Sequence, residues 1–195
     1  MRVIAGKYRS RPLRSLRGQD IRPTSDRLRE TLFNVLTAGN PAAALDNTVW
    51  IDLFAGTGAV GIEALSRGAK QVYFVDNSPA AAGLIRANLD SLGVQDSFKI
   101  LTDDLLRAFW RLERQHVAAD VVFLDPPYRQ QDTYAETLRS LAESSVVWAM
   151  SLVIAEHDKK FDPGAEFLPL RRFRKLTQGE STLSFYRMAK GTDLR

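Results

Sequence analysis

The chain of 195 residues contains no cysteine. Disulfides, thiolate zinc sites and cysteine nucleophiles are therefore excluded. Histidine is almost as scarce: His116 and His157 are the only two, too few for a His-rich centre, so no metal is expected. Long apolar runs are missing as well. Nothing approaches the 18 or so residues of a membrane span, so none is expected. The opening MRVIAGKYRS has neither a long apolar region nor a small-residue cleavage pattern. These absences lead to the expectation of a cytoplasmic protein. With 45% hydrophobic residues the chain can bury a sizeable core, and its length suits one domain of ordinary size with a small appendage.

Positive charge is present but unevenly spread. Residues 1–30 hold nine Lys or Arg and three acids, so that segment carries +6 of a net +4, and the rest is −2. A basic segment on a near-neutral body points to a polyanionic partner, most simply nucleic acid. A solvated basic face that aids solubility is the plain alternative.

Along the chain, residues 1–23 are basic and punctuated by Gly6, Pro12, Gly18 and Pro23. MRVIA and SRPLRSL read as two short strands of a hairpin-like arm. TSDRLRETLFNVLTA, residues 24–38, reads as a helix with an apolar stripe of Leu28, Leu32, Phe33, Val35 and Leu36, capped by Thr24 or Ser25. From Thr48 the pattern alternates. TVWIDLF, KQVYFVD, SFKILT, ADVVFLD and SLVIAEH are apolar runs separated by helical stretches. Continuous apolar strands alternating with helices argue a parallel sheet covered on both faces. The C-terminal EFLPLRRFRKLTQGESTLSFYRMAK reads as an antiparallel pair turning at Gln178-Gly179-Glu180. The three tryptophans, Trp50, Trp110 and Trp148, lie in apolar stretches and read as core. The expected fold is α/β: a Rossmann-like, mostly parallel seven-stranded sheet with helices on both faces, an antiparallel C-terminal hairpin and a small basic N-terminal extension. Residues 1–40 are read as a basic arm and helix, and 41–195 as the main domain.

IDLFAGTGAVGIEAL carries Gly56, Gly58 and Gly61 in the pattern G-x-G-x-x-G, after a strand and before a helix. Such glycines allow a tight turn and close approach of backbone to a ligand at a helix N-terminus. Asp76 ends the next strand, 18 residues beyond Gly58, where a carboxylate can accept hydrogen bonds from ribose hydroxyls. Asp52 separates the candidate cofactors. An acid at the end of the first strand would repel a dinucleotide pyrophosphate and favour a cationic ligand. S-adenosylmethionine, with a sulfonium, an ammonium and no phosphate, meets that requirement. Asp103, Asp104 and Asp125 near other strand ends strengthen the preference.

VVFLDPPYRQ is the second unusual stretch. Four apolar residues run into Asp125, Pro126, Pro127 and Tyr128. An exocyclic amino group of a base is a poor nucleophile because its lone pair is delocalised. Acceptors on its hydrogens can orient it toward a methyl donor, and the Asp125 carboxylate and Pro126 carbonyl are candidates. The prolines stiffen the loop and limit reorganisation. Tyr128 is a stacking platform for an extruded base. Without cysteine, ring-carbon methylation through a thiol adduct is excluded. Asp125 can only accept, so it suits the N1–H and N2–H of guanine, but this chemistry does not choose guanine N2 over adenine N6.

DLFAGTGAVGIEAL, Asp76, the Asp103-Asp104 pair and DPPY together resemble class I S-adenosylmethionine-dependent amino-methyltransferases. MRVIAGKYRSRPL followed by IRPTSDRLRETLFNVL resembles, more narrowly, the ribosomal RNA small subunit methyltransferase D family, over nearly the whole chain. The resemblance implies methylation of guanine N2 in 16S rRNA on an assembled or nearly assembled small subunit. It also implies that Gly56 to Gly58 contact the methionine portion, Asp76 the ribose, and Asp104 with Leu105 the adenine. The full expected cofactor set is Asp52, Phe54, Ala55, Gly56, Thr57, Gly58, Asp76, Asn77, Asp103, Asp104 and Leu105. Two positions depart from the family pattern. The ribose acid is the shorter Asp76 where Glu is frequent, and Asn77 stands where an apolar residue often packs on adenine. Asp125, Pro126, Pro127 and Tyr128 are the expected catalytic loop. Arg2, Lys7, Arg9, Arg11, Arg14, Arg22, Thr24 and Arg27 are the expected RNA contacts, and a monomer is expected. An adenine-N6 methyltransferase and a non-catalytic RNA-binding assembly factor are the alternatives. An NAD oxidoreductase ranks last, since it would leave Asp52 and the D-P-P-Y loop without a purpose.

Overall fold

The structure is a computed structural model that describes residues 1–15, 26–38, 45–127 and 130–189. It contains two compact units, Met1–Asp104 and Leu105–Arg195. Among the described residues there are five helices and eight strands, mostly parallel with antiparallel pairing toward the C-terminus. This is the expected mixed α/β class. The eighth strand is a two-residue addition to the seven expected.

In the first unit, α1 (Asp26–Leu36) is followed by β1 (Val49–Leu53), α2 (Ala59–Ser66), β2 (Gln71–Val75), α3 (Pro79–Leu92) and β3 (Phe98–Leu101). The strands lie in the order β3-β2-β1 and pair in parallel. Four consecutive residues are buried at the end of both β1 and β2, as in strands covered on both faces. Every residue of α2 is buried. Its close approach to β2 depends on Gly61, where a Cβ would lie 2.4 Å from Phe74 Cε1. Helix α3 has the ends its sequence predicts. Ser78 caps it by accepting from the Ala81 N–H at 3.3 Å, Pro79 occupies the first turn, and Gly93 closes it at φ 73°. Helix α1 buries Leu28, Arg29, Leu32 and Phe33, and Phe33 stacks on Trp50 at 5.4 Å between centroids. Thr24 and Ser25, the expected caps, lie outside the described residues.

The N-terminal arm is hairpin-like. Arg2 and Pro12 form a single antiparallel bridge, and the Leu13 N–H donates to the Met1 carbonyl at 3.1 Å. The arm is fastened to the helices of this unit. Glu63 of α2, fully buried, accepts from the N–H groups of Ile4 (2.7 Å) and Ala5 (3.0 Å). The Ser66 hydroxyl accepts from the Tyr8 N–H at 2.9 Å and donates to the Ala5 carbonyl. Gly6 passes so close to α2 that a Cβ would lie 1.8 Å from the Ser66 carbonyl oxygen.

The second unit contains α4 (Leu105–Arg114), β4 (Ala119–Leu124), α5 (Gln131–Glu143), β5 (Val147–Asp158), β6 (Glu166–Phe167), β7 (Leu170–Gln178) and β8 (Ser181–Met188). Strand β4 pairs with β5 in parallel, and β8 pairs antiparallel with both β5 and β7. The expected turn is present, with Gln178 opposite Ser181 and Gly179 at φ 61°. Burial lowers the basicity of His157; its ring nitrogens meet the Asp158 carbonyl and the Ser184 hydroxyl, both at 2.9 Å.

Two tryptophans depart from the expectation of core. Trp50 is fully buried, but Trp110 is 57% exposed and Trp148 42%. Ala108, Phe109 and Leu112 form the buried side of α4, which leaves Trp110 outward, with the Arg114 guanidinium 4.7 Å from its ring centroid. The Trp148 indole N–H donates to the Ala119 carbonyl at 3.0 Å. Apolar neighbours in sequence did not distinguish inward from outward positions.

Candidate functional site

The G-x-G-x-x-G stretch folds as a turn between β1 and α2. Phe54, Gly56 and Gly58 all adopt left-handed backbone, at φ 59°, 53° and 75°. Glycine takes this conformation freely, whereas at Phe54 it costs on the order of 1–2 kcal/mol. The Gly58 N–H donates back to the Ala55 carbonyl at 2.7 Å, and the Ala55 N–H to the Val75 carbonyl of β2 at 3.1 Å.

Two carboxylates hold this turn. Asp76 accepts from the Gly56 N–H and from the Ser78 N–H, each at 2.9 Å. Asp52, 2% exposed, accepts from the Gly61 N–H at 2.9 Å and so satisfies an otherwise orphaned donor in the first turn of α2. Burial pushes the Asp52 carboxyl up to about 7, opposed by the Gly61 N–H and reinforced by the charge of Asp76. Near neutral pH Asp52 is therefore only partly ionised. Its visible work is structural as well as electrostatic. Ala55, Thr57 and Gly58 are buried, Asp103 is half-buried, and Asn77 and Asp104 are exposed. Leu105 opens α4.

In the second unit, Asp125 follows the last residue of β4 and is half-buried, Pro126 is buried and Pro127 exposed. The buried Tyr134 of α5 has its hydroxyl 3.2 Å from the Pro126 carbonyl and 2.9 Å from that of Glu156. Its single proton can serve one of them at a time. Pro126, as a carbonyl with two lone pairs, keeps accepting capacity. The Gln130 N–H donates to the Pro127 carbonyl at 2.8 Å. Tyr128 lies outside the described residues.

Of the expected RNA contacts, Arg2, Lys7, Arg9, Arg11, Arg14 and Arg27 are exposed; Arg22 and Thr24 lie outside the described residues. Arg11 also donates from Nη2 to the Ser91 carbonyl at 2.7 Å. In the RRFRK group of β7, Arg172 and Lys175 share the Asp162 carboxylate, which holds that carboxyl well below its usual range, chiefly through the Arg172 hydrogen bond.

Glu63, Asn88 and Tyr134 did not stand out in the sequence. Two of them carried a readable signal: an acid inside the otherwise apolar AVGIEALS, and an amide on the buried stripe of α3 with Ile85, Leu89 and Leu92. Tyr134, one aromatic among helical apolar positions, carried none.

The geometry is that of an α/β protein whose glycine turn is held by the carboxylates of Asp76 and Asp52. Residues 1–187 match the family described as Conserved hypothetical protein 95. The chain is 33% identical over 159 residues to the Ribosomal RNA small subunit methyltransferase D of Haemophilus influenzae, covering 82% of this chain and 79% of that protein. It is 32% identical to YlbH of Bacillus subtilis over 96% of this chain and 98% of that one. The solved structure of YhhF from Escherichia coli superposes with a TM-score of 0.79 at 26% identity, covering 97% of this chain and 98% of that chain. The chain belongs to the ribosomal RNA small subunit methyltransferase D family. Among the described residues no helix is long and apolar enough to cross a membrane.

Proposed function

We propose that this protein transfers the methyl group of S-adenosyl-L-methionine to the N2 amino group of one guanine in 16S rRNA of the small ribosomal subunit. The observation that carries the cofactor class is the occupancy of the glycine turn's own donors. A pyrophosphate would claim the Gly56 and Gly61 N–H groups. Both already point at carboxylates, those of Asp76 and Asp52. The Asp76 carboxylate would repel a second anion there, with a smaller part from the partly ionised Asp52, whereas a cationic, phosphate-free cofactor is favoured. When bound, S-adenosylmethionine supplies an electrophilic methyl carbon on its sulfonium, which the amino nitrogen displaces in line.

The rest is work for the chain's own groups. Gly56 to Gly58, with Phe54 and Ala55, would hold the methionine portion. Asp76, whose oxygens each accept more than one hydrogen bond, would take the ribose hydroxyls, with Asn77 beside it. Asp103, Asp104 and Leu105 would border the adenine. Asp125 would accept from guanine N1–H and N2–H, and the Pro126 carbonyl from the second amino hydrogen, in a loop too stiff to reorganise much. Tyr128 would stack on the base. Residues 1–40 would serve as the RNA-facing extension, with its exposed arginines on phosphates, and 41–195 as the transferase domain. The relatives named for small-subunit rRNA support that substrate class; the choice of guanine N2 rests on the family resemblance alone.

The test is incubation with methyl-labelled S-adenosylmethionine and small subunits from a strain lacking the gene, followed by mass-spectrometric mapping. A methyl on guanine N2 in 16S rRNA is expected. A methyl on adenine N6 would replace the substrate assignment, and subunit binding with no cofactor binding would make the protein an assembly factor.

A further inference from the structure

The N-terminal arm and the glycine turn are joined through one side chain. Asn88 of α3 is fully buried. Its Nδ2 donates to the Thr57 carbonyl at 3.0 Å, inside the turn, and to the Arg14 carbonyl at 3.1 Å. Its Oδ1 accepts from the Arg14 N–H at 2.8 Å. Both amide donors and an acceptor lone pair are thus engaged, and the carboxamide pairs with the Arg14 peptide as a neighbouring strand would. The other end of the arm reaches the same residue: the Thr57 hydroxyl lies 3.8 Å from Met1 Sδ. Thr57 sits between Gly56 and Gly58, the positions assigned above to the methyl donor, and Arg14 is an exposed cation assigned to RNA.

We propose that Asn88 is a positioning residue that couples cofactor binding to RNA binding, so that each ligand tightens the other. The proposal rests on the methyl-donor reading of the glycine turn. A ligand in the turn fixes the Thr57 carbonyl, Thr57 fixes the Asn88 amide, and the amide fixes the backbone that carries Arg14. RNA then meets an arm already in place, and the ordering cost is incurred once for two ligands. Linkage makes the effect reciprocal. A core asparagine that merely satisfied local polar groups would stabilise the unit without linking two affinities.

Equilibrium dialysis of radiolabelled S-adenosylhomocysteine, with and without saturating small subunits from a strain lacking the gene, reads the coupling as a ratio of two dissociation constants. The wild-type ratio is expected to be about 5 or more. In Asn88→Ala it falls toward unity. Arg14→Pro, which deletes the N–H given to Asn88, lowers it too. Arg14→Ala keeps both backbone bonds; it weakens subunit binding, yet its ratio stays above that of the variants that break the bridge. If Asn88→Ala does not fold, the two Arg14 variants decide. A wild-type ratio near unity, or a ratio unchanged in every folded variant that breaks the bridge, overturns the coupling and leaves the methyl-donor reading intact. Failure of the wild type to bind S-adenosylhomocysteine at all overturns that reading, and the coupling with it.

Discussion

Asp125 and Asp52 are both strand-end acids, but their surroundings give them different work. Asp125 is half-buried beside a proline-stiffened loop, where it is proposed to meet the substrate. Replacing it with alanine is expected to lower kcat by about 10²–10³-fold, the typical loss for one preorganised hydrogen-bonding group, with affinity for S-adenosylhomocysteine little changed. Unchanged turnover in single-turnover assays would remove it from the chemistry. Asp52 is buried, with a carboxyl raised to about 7 in the folded protein. The folded state therefore holds a proton that the unfolded chain releases near pH 4. Stability from this group is greatest below that pH, falls as pH rises through about 7, and is flat beyond. The swing is at most about 4 kcal/mol. Asp52→Asn keeps an acceptor for the Gly61 N–H without the charge. Its melting temperature should exceed that of wild type at pH 8, by about 2–4 °C per kcal/mol, and the gap should close near pH 4. An equal gap at both pH values would refute the assignment.

Among the elements, α2 is pressed against β2 at Gly61 and against the arm at Gly6. Gly61→Ala drives a methyl into Phe74 and Val72, and the expected cost is about 1–3 kcal/mol, read from the urea midpoint. Gly6→Ala places a Cβ against α2 backbone at a positive φ. The arm should lift off while the parallel strands persist. Hydrogen exchange at the Ile4 and Ala5 amides, now held by Glu63, should then accelerate strongly, and unaltered protection would contradict the docking geometry. The strand–helix alternation and the ends of α3 were legible because apolar runs, Ser78-Pro79 and Gly93 are local signals. The attachment of the arm was not. Charge and punctuation marked it as a separate basic segment, but its anchors Glu63, Ser66 and Asn88 lie more than 50 residues away. Glu63 and Asn88 stand out as polar positions on apolar helix faces, but only tertiary pairing of backbone donors shows that they hold the arm. The first residues of β5 were missed for a different reason: Trp148, Ala149 and Met150 are exposed, so no buried pattern announced a twelve-residue strand.

For the molecule as a whole, the charge asymmetry sets how binding responds to salt. The described cations of the arm are exposed on a backbone that is hydrogen-bonded to its own unit. Replacing Arg9, Arg11 and Arg14 together by glutamine should weaken subunit binding. It should also reduce the slope of log affinity against log salt by about 2, given roughly 0.7–0.9 per phosphate contact. An unchanged slope would mean the arm meets no phosphates. By contrast, the basic stretch of β7 has Arg172 and Lys175 paired with Asp162, and neutralising it should alter the slope less.

The placement of the three tryptophans gives each unit its own fluorescent reporter. Trp50, sealed beneath Phe33, belongs to the first unit and should emit toward the blue and resist acrylamide. Trp110 and Trp148 belong to the second and should be quenched readily. With both of those changed to phenylalanine, the remaining emission would follow the first unit alone. Comparing its denaturation curve with that of wild type would then reveal whether the two units melt together or in sequence.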